Sequence, residues 1–152
     1  MLRKVKAVHG ARVSIVQLKG SVEEDLAALQ KFGSIDAYID ISPGVASDST
    51  HVRSCIMAVK PYGRVSLMGV IHKDIAVPYV VAVLKNLTIR GQYMYEREDA
   101  RGIIKLAETG VLKLGKSGGH ELVAEFPLEE FDKALETAKN NPEAGKVVLF
   151  TP

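Results

Sequence analysis

The chain carries four histidines, His9, His51, His72 and His120, and a single cysteine, Cys55. A protein zinc site draws three or four such ligands from short spacings such as C-x-x-C or H-E-x-x-H. Neither spacing occurs, so no metal site is expected. Cys55 has no partner for an internal disulfide, and it falls in a stretch of helical pattern, where a small buried hydrophobe is the expected role rather than a nucleophile. A second grouping holds more chemistry. Tyr93, Tyr95 and Glu96 follow one predicted strand, while His72 and Lys73 follow another. Loops at neighbouring strand ends can converge, and a tyrosine and a carboxylate near a histidine can run acid–base chemistry without a cofactor. That reading is of a cyclase, lyase or isomerase that orients a small apolar metabolite in its cleft.

These residues depend on an alternation of strand-length apolar runs with segments of helical period. Arg12 to Gln17 is a short β-branched run. Ser21 to Phe32 then places Val22, Leu26, Leu29 and Phe32 at spacings of three and four, with Ser21 and Glu24 as a capping box. Ile35 to Ile41 reads as the next strand, closed by Ser42-Pro43-Gly44, and Asp48 or Ser49 can cap a helix through Val59. Lys60 to Gly63 is a predicted turn and Arg64 to Gly69 a third strand. Tyr79 to Leu84, after Pro78, fits helix or strand. Asn86 to Gln92 follows as strand, Glu98 to Thr109 as a helix stopped by Gly110, Leu122 to Phe126 as strand, Leu128 to Asn140 as helix and Lys146 to Thr151 as strand. Strands separated by helical crossovers pair in parallel with helices on their faces. The predicted fold is α/β, a partial Rossmann-like, mostly parallel sheet flanked by helices, with a C-terminal β-α-β segment over about 111–152.

Composition narrows the function classes. With 152 residues, 47% of them hydrophobic and 25% charged, the chain has the make-up of one ordinary globular domain. At this size roughly 68–70% of the unfolded surface can be buried, so no disulfide or metal staple is needed. Twenty basic and 18 acidic residues are interspersed along the chain, Trp is absent, and the basic excess at Leu2 to Lys6 is short. That argues against a nucleic-acid surface, which wants a basic face with stacking aromatics. No apolar run approaches the roughly 20 residues of a membrane helix and no leader pattern is present, so the expectation is a cytoplasmic protein.

Several local signatures then coincide. Ile35-Asp36-Ala37-Tyr38-Ile39-Asp40-Ile41-Ser42, Lys60-Pro61-Tyr62-Gly63-Arg64-Val65, Leu67-Met68-Gly69-Val70 and Asn86-Leu87-Thr88-Ile89-Arg90-Gly91 occur in that order. They are followed by Phe126-Pro127-Leu128-Glu129-Glu130 to Ala134 and by Gly145-Lys146-Val147-Val148-Leu149. Together they resemble the fourth, fifth and sixth Rossmann strands and the closing segment of zinc-type medium-chain alcohol dehydrogenases, fungal members most of all. By that resemblance Arg12 to Gln17 matches the family's third strand and Val5 to Gly10 the tail of its second helix, so the sequence is similar to a C-terminal portion truncated before the third strand.

The resemblance implies a split set of functional parts. A dinucleotide pyrophosphate is held by a G-x-G-x-x-G turn and the helix N-terminus it opens; no such turn occurs in these residues. The family's zinc ligands also fall outside the match. What the resemblance carries over is the nicotinamide side of the cleft. Ser42 and Pro43 would flank the adenosine, Gly69, Val70, Gln92 and Tyr93 would face the nicotinamide amide, and Lys146 would reach a cofactor phosphate. The expectation is therefore no tightly bound cofactor, with NAD(P) weak at most, and no stand-alone zinc-dependent redox activity. The family also joins its subunits through the strand matching Asn86 to Gln92, which implies a homodimer; a non-enzymatic dimerisation module is the third functional reading. Finally, unpaired strand groups facing an apolar gap would each cost on the order of 1–3 kcal/mol. Arg12 to Gln17 is therefore expected to pair directly with Ile35 to Ile41.

Overall fold

The computed structural model of the protein describes residues 12–143 and 145–151. The assignment of Val5 to Gly10, the basic stretch at Leu2 to Lys6 and His9 lie outside the described residues. The chain divides into two compact units, Val16–Tyr95 and Met1–Ile15 with Glu96–Pro152.

In the unit from Val16 to Tyr95, helix α1 (Val22–Gln30) starts at Ser21, whose hydroxyl oxygen accepts the Glu24 N–H at 3.4 Å. Glu23, Glu24 and Asp25 fill its first turn, where acidic groups meet the positive end of the helix dipole. Of the expected capping box only the arm at the Glu24 N–H forms, and the Ser21 hydroxyl donates to Glu23 (2.9 Å). Strand β1 (Ile35–Asp40) leads through a short 3-10 turn at Gly44–Ala46 to helix α2 (His51–Ala58). That helix begins later than Asp48 or Ser49 would place it. Its flanking residue is Thr50, whose hydroxyl is turned away to Asp25 Oδ2 (2.5 Å).

Strand β2 (Val59–Leu67) follows without a break, so Lys60 to Gly63 is not the turn expected. These residues form an irregularity in the ladder. Ile35 faces Val59 and Ala37 faces Arg64, so the extra residues of β2 bulge opposite Asp36. Tyr62 takes the strain at φ +61°, held by its N–H to the Lys85 carbonyl at 2.7 Å. Gly63 is obligatory there, since a Cβ would overlap the Val59 side chain and approach the Asp36 and Lys60 carbonyls to 2.9 Å. Helix α3 (Tyr79–Leu84) settles the open choice at that segment, and strand β3 (Thr88–Gly91) completes the sheet.

The sheet order is β1-β2-β3, all parallel, as expected for the strands from Ile35, Arg64 and Asn86. Helix α2 lies on one face and supplies Val52 and Ile56 to a core completed by Val59 and Val65. Ile35, Tyr38, Leu67 and Ile89 pack around that core. The opposite face presents Ile39, 63% exposed.

Arg12 to Gln17 forms no strand, and among the described residues β1 pairs only with β2. The expected closure fails for two reasons. Burial falls on Val13 and Val16, three apart, where a paired strand would bury alternate positions. The Lys19 N–H, near the end of the run, is taken by Asp25 Oδ1 at 2.6 Å, which ties the run to α1. The penalty behind the expectation applies to buried groups, and the free edge of β1 is open to water at Asp36, Ala37 and Ile39.

In the other unit, helix α4 (Arg97–Glu108) is opened by a reciprocal capping box between Glu96 and Asp99 and followed by Gly110 at φ +72°. Strand β4 (Glu121–Pro127), helix α5 (Phe131–Asn140) and strand β5 (Lys146–Thr151) make the expected β-α-β segment. Its two strands are parallel and α5 packs on both. No helix among the described residues is long and apolar enough to cross a membrane.

Candidate functional site at the strand C-terminal ends

Open parallel sheets bind ligands beyond the carboxyl ends of their strands, and the described hydrogen bonds run past those ends here. The Met68 N–H donates to the Asp40 carbonyl (2.9 Å), the Val70 N–H to the Ser42 carbonyl (2.8 Å) and the Gln92 N–H to the Leu67 carbonyl (2.9 Å). Ser42, Gly69, Val70 and Gln92 are thereby set in one row, with Pro43 following Ser42 into the 3-10 turn. Tyr93 continues from Gln92 and is 87% exposed. Lys146 belongs to the other unit, where its ammonium meets Asn141 Oδ1 at 3.3 Å and Glu143 at 3.6 Å. Gly69 is needed for the row to close. A Cβ there would overlap Asp40 Oδ2 and stand 2.9 Å from both the Ser42 nitrogen and oxygen.

Asp40 organises this end of the sheet. It is 4% exposed, and its Oδ1 accepts from the Tyr38 hydroxyl (3.1 Å), the Ser42 N–H (3.3 Å) and the Ser42 hydroxyl, with His51 Nε2 at 3.3 Å. Burial works to raise the Asp40 pKa, but the hydrogen bonds from Ser42, Tyr38 and His51 outweigh it and the carboxyl is held below its usual value. Burial first, and then the Asp40 charge, push the Tyr38 hydroxyl upward, so it stays a donor.

Ser42, His51 and Asp40 are the residue types of a hydrolytic triad, but their geometry is different. A triad imidazole bridges serine and carboxylate through its two nitrogens. Here Ser42 Oγ (2.5 Å) and Asp40 Oδ1 both meet the same atom, Nε2, and the Ser42 proton is already directed to Asp40. The cluster locks the end of β1 to the start of α2. A second buried carboxylate, Asp25, takes the Lys19 N–H and Thr50 hydroxyl; these lower its pKa and tie α1 to α2. Cys55 is partly buried, and burial, with the charges of Asp25 and Asp40, pushes its thiol up to about 11, in keeping with an inert side chain.

A cavity of about 270 Å³ opens beside Asp40, lined also by Val52, Leu67, Gly69, Ile71, Lys73, Asp74, Ile75 and Val77. Neither His72 nor the two tyrosines border it, so the grouping expected from Tyr93, Tyr95, Glu96, His72 and Lys73 does not form around this cavity. Tyr95 is 70% exposed, Lys73 pairs with Asp48 at 2.7 Å, and Glu96 is consumed by the α4 capping box in the other unit. No group of three or more metal-capable side chains occurs among the described residues. The residues that sequence reasoning missed are Asp40, His51 and Asp25. The pattern Asp40-x-Ser42 at a strand end was a signal for Asp40 alone; His51 joins it only through the fold.

No family model matches the chain. Among curated proteins it is similar to L-arabinitol 4-dehydrogenase of Hypocrea jecorina, 30% identical over 139 residues covering 89% of this chain and 34% of that protein. The enzyme of the same name from Talaromyces emersonii is 33% identical over 152 residues, 92% of this chain and 36% of that protein. Among solved structures, an Escherichia coli alcohol dehydrogenase in complex with NADH superposes with a TM-score of 0.71 at 19% identity, over 99% of this chain and 41% of that one. The chain thus spans about a third of the length of the curated relatives it matches.

Proposed function

The chain is related to the zinc-type medium-chain alcohol dehydrogenases, and from that premise we propose that its 152 residues carry the nicotinamide-side half of a dinucleotide cleft and do not by themselves oxidise an alcohol. The observation that carries this reading is the row Ser42, Gly69, Val70 and Gln92 across the carboxyl ends of three parallel strands. Gly69 admits no side chain there. Backbone groups in such a row can meet the carboxamide and ring of a nicotinamide. The residues present contain no G-x-G-x-x-G turn for the pyrophosphate, and the Ser42 hydroxyl is committed to Asp40. Affinity for a dinucleotide rests largely on that phosphate cradle, so binding should be weak.

The relatives' zinc-dependent chemistry is assigned here to residues outside this chain. A zinc ion there would polarise the reacting oxygen; this chain's part would be to position the cofactor's nicotinamide end. Calorimetric titration of the 152-residue protein with NADH and NADPH tests the reading. Dissociation constants of about 1 mM or weaker are expected, with no oxidation of L-arabinitol. Micromolar binding, or turnover by this chain alone, would overturn it.

A further inference from the structure

We propose that the cavity beside Asp40 is a binding site for a small apolar amine, whose ammonium group donates to Asp40 Oδ2. This rests on reading the strand ends as a ligand cleft and adds what that cleft selects. All four polar groups around the carboxylate, the Tyr38 hydroxyl, the Ser42 N–H and hydroxyl and His51 Nε2, meet Oδ1. Oδ2 accepts from none of the described residues, although Asp40 is only 4% exposed and lines the cavity. Among the described residues no buried side-chain oxygen lacks a partner, so Oδ2, which takes no protein donor, is open to the cavity, where a ligand's donor can meet it. Oδ2 is also the oxygen against which Gly69 packs without a side chain, so the absence of a Cβ keeps the approach to it open.

The class of ligand follows from the rest of the lining. Val52, Leu67, Ile71, Ile75 and Val77 offer an apolar wall, and no group of three or more metal-capable side chains forms among the described residues, so a bare metal cation would have too few ligands. Asp74 adds a second negative group, and the one lysine, Lys73, is already paired with both oxygens of Asp48 at 2.7 Å. The cavity therefore favours a positive donor on an apolar skeleton. A charge-assisted hydrogen bond to a carboxylate is about twice as strong as a neutral one, which sets the amine above the matching alcohol. At about 30 Å³ per water-sized volume, a cavity of about 270 Å³ suits a compact molecule such as cyclohexylamine.

The test is amide NMR titration of the intact chain with cyclohexylamine, cyclohexanol and potassium chloride at pH 7. Cyclohexylamine should shift resonances from Leu67 to Val77 with millimolar or better affinity, and cyclohexanol should bind about tenfold more weakly. Val77→Phe adds bulk at a partly exposed residue of the cavity wall, and should abolish binding while leaving the melting curve near that of the wild type. Asp40→Asn, if folded by its amide spectrum, should remove the preference for amine over alcohol. Equal affinity for the two ligands, the same shifts with potassium chloride, or no shift up to about 10 mM amine would overturn the inference. Micromolar NADH binding would instead strike the reading of the half-cleft and leave an observed amine site standing.

Discussion

Gly69→Ala isolates the geometry on which the strand-end site depends. The backbone at Gly69 is not left-handed, so alanine is acceptable there by conformation, and the whole cost must come from contact. The new Cβ would overlap Asp40 Oδ2 and press on the Ser42 nitrogen and oxygen at 2.9 Å. Ser42 cannot retreat freely, because its carbonyl holds the Val70 N–H and its hydroxyl and N–H hold Asp40. Overpacking of this kind costs about 1–3 kcal/mol, and losing the Val70 hydrogen bond adds about 0.5–1.5 kcal/mol. Together they suggest destabilisation of about 2–4 kcal/mol. In a unit the size of Val16–Tyr95 each kcal/mol moves the midpoint by roughly 4–8 °C, so circular dichroism should show a Tm lower by at least about 8 °C. Gly91→Ala is the control. Nothing lies within 4 Å of a Cβ at that position, and replacing glycine in a strand is neutral or stabilising by up to about 1 kcal/mol. Equal melting of Gly69→Ala and wild type would refute the close approach of β1 and β2 at this end.

Acid sensitivity should be traceable to Asp25 and Asp40. Both carboxyls sit below their usual value in the folded protein, so their stabilisation is present above the unfolded pKa near 4 and is lost as pH falls through the depressed folded values. Urea unfolding from pH 7 to 2.5 should show stability declining below about pH 4, and Thr50→Val, which deletes a donor to Asp25, should shrink that decline; an unchanged decline would count against the assignment. Cys55, with its thiol near 11, should react with iodoacetamide at pH 8 at least about a hundredfold more slowly than a free thiol of pKa about 8.5; rapid labelling of the folded protein would contradict its burial. Self-association through β3 remains our proposal for the oligomeric state. Gln92 donates inward to Leu67, so by alternation the Ile89 and Gly91 N–H groups face the open edge of the sheet. Light scattering should find a wild-type dimer that Gly91→Pro dissociates, and a wild-type monomer at micromolar concentration would sink that proposal.

The order and type of the elements were legible in the sequence because they depend on local signals. Val22, Leu26 and Leu29 at helical spacing behind Ser21, the β-branched runs at Ile35 and Lys146, and Gly110 after a helix each act within a few residues of themselves. Parallel pairing of β1, β2 and β3 followed from the crossover lengths. The row of Ser42, Gly69, Val70 and Gln92 could be proposed from the resemblance because strand ends are where that family binds its cofactor. What the sequence could not reveal depends on groups far apart in the chain. Arg12 to Gln17 has the composition of a strand but no ladder, since Lys19 is held by Asp25 and the edge of β1 is wetted. Lys60 to Gly63 reads as a turn by residue type, yet it is a bulge stabilised by the carbonyl of Lys85, more than twenty residues away. Asp25 and Asp40 look like ordinary surface acids in a string of letters. Only the packing of α1 and β1 against α2 brings Thr50, His51 and Ser42 to them, because a carboxylate can be buried only where the tertiary structure supplies its donors.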